Sequence, residues 1–307
     1  MKEPLHGFEW NQMDAPAEVE GGLFTVVAKA ASGSFHAVGT GFVVRALDDV
    51  ALGVSAGHVF AEVQKLQQQQ RGRSHATTLP EFAPALRPIK VSFDNLAMVS
   101  NVASVVVISQ VEGLAFDELG DIGVVQLRTQ SACLETIHLQ EFNLDDETPE
   151  IGRLVCVASY INLSCMHTGP DQFQIQRQAV LRVGRVLQVF PSGQRLCRGP
   201  CFETSIPMFS GMSGGPVFYY DIEGAMRVMG LVCSDLDANG PDKNDRSISG
   251  RSLIASLPVR RLSGSSKGRQ EISMSFVPTS VAGQFSSFED IRVTAGTHSG
   301  FERDAPR

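Results

Sequence analysis

Short apolar runs rich in β-branched and aromatic residues, separated by glycine and small polar residues, recur along most of the chain. GGLFTVVAKA (21–30) is followed, after the turn ASGS, by HAVGTGFVV (36–44), and the pair predicts a hairpin. ALGVSAGHVF (51–60) predicts a strand that ends in small residues just before His58. Further strands are predicted at IKVSF (89–93), VASVVVIS (102–109) and DIGVVQL (121–127). Past residue 150 the same style returns in GRLVCVASY, QAVLRVGRVLQVF, RLCRGPCFETSI, GPVFYY and RVMGLVCS. Runs about 8 to 12 residues apart with glycine between them favour an all-β sandwich or barrel over βαβ units.

The interruptions organise the chain. AEVQKLQQQQRGR holds helix formers and a glutamine run, and prolines 80, 84 and 88 follow it, so residues 61–88 read as a surface insertion. QEFNLDDETPE (140–150), acidic and polar, reads as a linker between two halves. SLIASLPVRRL (252–262) reads as a short closing helix interrupted by Pro258. Beyond it the chain thins to a Ser/Gly/Thr-rich tail (263–307), too short for another sizeable domain, in which Arg260, Arg261, Lys267 and Arg269 read as solvated linker charges. The expected division is an N-terminal extension (1–20), a first barrel at about 21–139, the linker, a second barrel at about 151–262, and the tail.

Composition narrows the function classes. A net charge of -7 offers no field to gather nucleic acid, and no apolar run approaches the roughly 20 residues that span a bilayer, so neither nucleic acid nor membrane is an expected partner. The opening MKEPLHGFEWNQMDAPAEVEGG resembles no signal or transit peptide, and the expected location is the cytoplasm. Six cysteines in 307 residues are too sparse for a disulfide scaffold. Cys197 and Cys201 are the one close pair, and with no second ligand pair nearby they read as free thiols in a reducing compartment, against the alternatives of a loop disulfide or half a zinc site.

The chemistry concentrates at GMSGGPVF (211–218). A serine hydroxyl attacks well only when a base takes its proton, and the base works best when a carboxylate fixes its tautomer and stabilises its cation. Glycines beside Ser213 let the backbone turn sharply, so that the amides of Gly211 and Ser213 form a candidate oxyanion hole. The string also satisfies G-x-S-x-G, the nucleophile elbow. That reading needs a helix after the serine and a later histidine, whereas Pro216 continues into a strand and His298, in the tail, is the only histidine downstream. An Asp-His-Ser order would draw on Asp14, Asp48 or Asp49, none at a convincing strand end. In the order His, Asp, Ser, His58 ends one predicted strand and Asp121 opens another.

VSAGHV, DIGVVQL and GMSGGPV, taken in this order, resemble the three signature segments of trypsin-like serine proteases, and VGTGFVV is similar to the strand before the histidine segment in bacterial high-temperature-requirement proteases. The resemblance implies an all-β fold of two six-stranded antiparallel barrels with the site between them, His58 and Asp121 on the first and Ser213 on the second. It implies a serine endopeptidase that acts on protein or peptide substrates through an acyl-enzyme, with His58 as base, Asp121 as its orienting group, Ser213 as nucleophile, and neither metal nor organic cofactor. A catalytically silent protease-like binding module and an esterase are the alternatives. Met212 replaces the aspartate that receives the new N-terminus in digestive members, so control is expected from elsewhere: a regulatory protein partner, the 61–88 segment or the tail. The tail is too short for the PDZ domain that many high-temperature-requirement proteases carry. By alignment with the family the substrate pocket falls at Pro207 and Met208, with walls at Cys233, Ser234 and Asp235. No acid stands at the trypsin-like position, so a small or apolar residue before the cut is expected, against a basic one selected by Asp235 or Asp237.

Overall fold

The structure, a computed structural model, describes residues 10–47, 49–68, 91–117, 119–129, 138–169, 172–194, 197–235, 251–261, 272–274, 280–283 and 294–295. An edge strand, Asn11–Asp14 (β1), and a helical turn, Ala17–Glu20 (α1), precede Leu23–Lys29 (β2). Leu23, Phe24, Val26 and Val27 of β2 are withdrawn from water, and this burial makes it a central strand. It pairs antiparallel with Phe35–Leu47 (β3), which pairs with Val50–Ala56 (β4). A helix, Gly57–Gln68 (α2), leads on to Leu96–Val102 (β5), Val105–Asp117 (β6) and Ile122–Thr129 (β7). The order β6-β5-β2-β3-β4-β7, with β6 also pairing β7, closes six strands into a barrel.

Leu154–Gly169 (β8) and Gln172–Phe190 (β9) form a long hairpin, followed by Cys201–Thr204 (β10), Pro216–Tyr220 (β11), Met226–Asp235 (β12) and Ser252–Ser256 (β13). The order β9-β10-β13-β12-β11-β8, closed by the β8–β9 pairing, makes the second barrel, and β1 adds itself to the edge of β9. The architecture is the expected chymotrypsin-like double barrel. Among the described residues four short strands follow: Val259–Arg261 (β14), Ile272–Met274 (β15), Ser280–Gly283 (β16) and Thr294–Ala295 (β17). β16 pairs with β6 of the first barrel, so the described parts of the 263–307 segment are joined to the body. Among the described residues no helix is long and apolar enough to cross a membrane.

Three sequence expectations are corrected. The closing helix at 252–262 is instead β13 and β14: Leu253, Ile254 and Ala255 are fully buried between β10 and β12, and Pro258 denies the length a helix needs. The strand at 89–93 is not formed in its described part: Phe93–Asn95 is a 3-10 turn, and the strand begins at Leu96, where side chains reach the core. VASVVVIS is two strands, because Ala103 and Ser104 adopt φ of 49° and 69° and fold β5 back onto β6. Two consecutive positive φ values make the tight turn that Asn-Gly usually signals, and Ala-Ser carries no such signal.

The acidic linker is also a wedge. Phe142 is fully buried, with its ring 5.6 Å from that of Phe42 in the first barrel and 6.0 Å from that of Phe218 in the second. Its amide donates to Val43 O at 2.8 Å, and Val228 donates to Asn143 O at 2.8 Å. Burying such a ring contributes about 1.5 to 3 kcal/mol, and here it holds both barrels at once.

Candidate active site

His58 is the second residue of α2, two residues past the end of β4. Asp121 precedes β7 and has a φ of 52°, a conformation that Asp tolerates better than most residues. Its carboxylate does two jobs there: Oδ1 accepts the His58 backbone N–H at 2.7 Å, capping the start of α2, and Oδ2 meets His58 Nδ1 at 2.8 Å. The backbone bond from Gly57 N to Asp121 O, 2.9 Å, locks the two segments together. Burial pulls the pKa of His58 down, but the charge and hydrogen bond of Asp121 outweigh it and leave it raised above 6.5. The imidazole still has 43% of its surface exposed, an open edge toward which a substrate can come.

Ser213 lies in a turn stitched to both barrels. Gly214 N donates to Val232 O at 2.8 Å and Val232 N to Gly215 O at 2.9 Å, while Thr40 N of the first barrel donates to Ser213 O at 2.9 Å. Gly211 and Gly214 adopt φ of 95° and 85°. A Cβ on Gly214 would stand 2.2 Å from both Ser55 Oγ and Thr40 O, so the turn closes against β3 and β4 only because no side chain is there. The contact with Ser55 brings Ser213 beside the end of the strand that delivers His58. His58 and Asp121 are thus joined directly, whereas Ser213 is brought alongside through its backbone, and its hydroxyl makes no hydrogen bond among the described residues. Nor do the amides of Gly211 and Ser213 find an acceptor among those residues.

Thr40 escaped sequence reading. Its Oγ1 donates to Gly211 O at 2.7 Å and accepts from Tyr160 N at 3.0 Å, so one fully buried hydroxyl turns the Gly211 carbonyl inward. The signal available was a threonine inside VGTGFVV, which any strand propensity explains equally well. Thr40→Val keeps the shape but strands a carbonyl and an amide. It is expected to cost about 1 to 3 kcal/mol in thermal unfolding and at least about 10-fold in kcat; an unchanged kcat would remove Thr40 from the site.

The pocket residues fare unevenly. Pro207 is buried and its carbonyl accepts from Arg182 Nη1 at 2.8 Å, and Met208 packs half-buried on the second core. Cys233, expected as a pocket wall, is 3% exposed and interacts with Asp121 and Cys197, so it backs the carboxylate. The bond to Cys197 draws its pKa down, but burial and the Asp121 charge carry it to about 11, so it meets Asp121 as a thiol. The side chains of Ser234 and Asp235, and Asp237 altogether, lie outside the described residues. Cys197 and Cys201 are free, like every described cysteine, with Cys201 Sγ donating to Cys197 O at 3.7 Å, and no metal-holding group of His, Cys, Asp or Glu occurs among the described residues.

The chain is similar to the Rv3671c protease of M. tuberculosis in its active form, at 14% identity over 79% of this chain and 82% of that one, with a TM-score of 0.42. The protease Anisep from Arthrobacter nicotinovorans shares 10% identity over 80% of this chain and 93% of that one, with a TM-score of 0.47. Deg5 shares 17% over 71% and 81%, with a TM-score of 0.41. No curated protein matches the chain. The trypsin-like peptidase domain family matches residues 39–226, a span that takes in His58, Asp121 and Ser213. The chain belongs to that family and is a serine peptidase.

Proposed function

We propose that the chain is a serine endopeptidase that cuts a limited set of protein substrates through an acyl-enzyme. His58 Nε2 takes the Ser213 proton as Oγ attacks the scissile carbonyl, Asp121 holds the imidazole and stabilises its cation, and the amides of Gly211 and Ser213 receive the oxyanion. His58 then returns the proton to the leaving amine, and water repeats the sequence to release the acid. The observation that carries this reading is the 2.8 Å contact between His58 Nδ1 and Asp121 Oδ2, made beside a turn whose two amides are unspent. The segment IPMFS (206–210) carries no acid, which supports a small or apolar residue before the cut. The free thiols support a reducing compartment, the cytoplasm.

A fluorophosphonate probe tests the proposal. Mass mapping is expected to find the label on the peptide that contains Ser213, and peptide amides are expected to be cut. No label between pH 6 and 9 would favour a silent binding module, and label with turnover of short esters alone would favour an esterase. The rate has a predictable pH course. His58 must be neutral to act, and its pKa is raised above 6.5, so activity is absent in acid and rises through a midpoint above that value. The sign for stability is opposite: the protonated His58–Asp121 pair stabilises the fold fully below the unfolded pKa, and the contribution fades as pH climbs through the folded one. A pH–rate profile with its acid limb at or below 6.5 would contradict the assignment of His58.

A further inference from the structure

Arg182, on β9, is 2% exposed, and among the described residues no carboxylate pairs with it. A desolvated cation without a counter-charge is costly, so its neighbours repay attention. Nε and Nη2 both donate to Gln12 Oε1, at 3.0 and 2.7 Å. Nη1 donates to Pro207 O at 2.8 Å and reaches Met212 Sδ at 3.3 Å. The guanidinium carbon lies 4.0 Å from the centre of the Phe209 ring and 5.0 Å from that of Trp10, and both ring faces attract a cation. Burial pushes its pKa down to about 10, so it remains charged at neutral pH.

These partners come from two places. Pro207, Phe209 and Met212 frame the turn that presents Gly211 and Ser213, and the Phe209 amide also donates to Met212 Sδ at 3.2 Å. Trp10 and Gln12 belong to the N-terminal segment, which is held to β9 along one edge, with Gln12 opposite Arg182. All four residues of β1 are exposed, so that strand is anchored by its ladder, by Asp14 accepting from Gln178 Nε2 at 3.1 Å, and by the Arg182 assembly. An edge strand with so little buried surface detaches at lower free energy than the barrel unfolds.

We propose that Arg182 is a positioning residue through which the N-terminal strand sets the oxyanion turn: while Trp10 and Gln12 hold the guanidinium, Arg182 holds Pro207, Phe209 and Met212, and the Gly211 and Ser213 amides converge. When β1 leaves, Arg182 loses the Gln12 acceptor of Nε and Nη2 and one aromatic face, hydrates, and releases the turn. The device rests on the proposed role of those amides. It couples the state of the N-terminal segment to peptidase activity.

The test uses the full chain with Gln12→Ala, Trp10→Ala, Gln12→Glu and Arg182→Met. Gln12→Ala and Trp10→Ala lie at an exposed edge and are expected to lower kcat on a peptide amide roughly 10-fold with KM nearly unchanged, and to slow fluorophosphonate labelling alike; Arg182→Met is expected to cost about 10²-fold, the range for losing an oxyanion donor. Gln12→Glu retains an acceptor and is expected to recover kcat relative to Gln12→Ala, which a merely structural role for β1 would not produce. Hydrogen exchange at Met212 and Gly215, whose amides donate within the turn, is expected to quicken in Gln12→Ala while strands of the first barrel keep their protection. Folded Gln12→Ala and Trp10→Ala proteins with wild-type kcat and labelling rates would overturn the proposal even if Arg182→Met failed to fold, as would a change confined to KM. A wild-type protein that takes no label defeats the peptidase mechanism itself, whereas label on the wild type with equal rates in the variants defeats this inference alone.

Discussion

Ser213→Ala is expected to lower kcat/KM on a peptide amide by about 10⁴- to 10⁶-fold, the scale found when a serine nucleophile is removed. The fold should hardly register the change. Ser213 is half-buried, its hydroxyl has no hydrogen-bond partner among the described residues, and the bonds that fasten the turn run through the backbone of Ser213, Gly214 and Gly215. The midpoint of thermal unfolding is therefore expected to shift by no more than the equivalent of about 0.5 kcal/mol, as at an ordinary surface site. His58→Ala should cost a similar factor, and the double variant little more than either alone, because a base without a nucleophile and a nucleophile without a base fail at the same step. Measured kcat/KM for the three variants decides the matter. Multiplicative losses, or a Ser213→Ala protein that retains more than about a tenth of the activity, would show that the two side chains do not act as one unit.

Asp121→Asn should reduce kcat by about 10⁴-fold at its pH plateau. The substitution is nearly isosteric, and Asn tolerates the left-handed backbone at this position. Its carbonyl oxygen can still accept the His58 backbone N–H, so the start of α2 keeps its cap. What changes is the other contact. An amide NH₂ turned toward Nδ1 donates where the carboxylate accepted, which leaves the proton on Nε2, the nitrogen that must be bare to act as base. Loss of the Asp121 charge also removes the main influence that raises the His58 pKa, so the residual activity should show its acid limb at lower pH than the wild type. A pH–rate profile together with imidazole nitrogen NMR reads both effects. A loss of less than about 10-fold, with the acid limb unmoved, would mean that Asp121 serves only to cap the helix.

β-Branched runs, glycine spacing and three motifs in order were sufficient to place His58, Asp121 and Ser213 on a barrel fold, because strand signals and family motifs are local in sequence. Local signals also misled. SLIAS has helix formers and no alternation, yet it is a central strand, since residues buried on both faces need no polar positions to mark a sheet. Ala103 and Ser104 turn a continuous apolar run into a hairpin with no turn signature. The far end of the β8–β9 hairpin, residues 162–169 and 172–177, passed unread, because its residues are exposed or half-buried without a strongly apolar face.

What the chain alone determined is an all-β architecture, and its three motifs singled out the groups proposed here as catalytic, each announced by neighbours a few residues away. What the tertiary structure decided is how those groups are held: Thr40 turning the Gly211 carbonyl, Cys233 behind Asp121, Phe142 wedged between the barrels, and Gln12 reaching Arg182 beside the Ser213 turn. Each of these joins residues far apart in the chain, and a buried polar group chooses its partner by which carbonyl, thiol or amide the packing leaves within reach. That choice exists only after both barrels have closed.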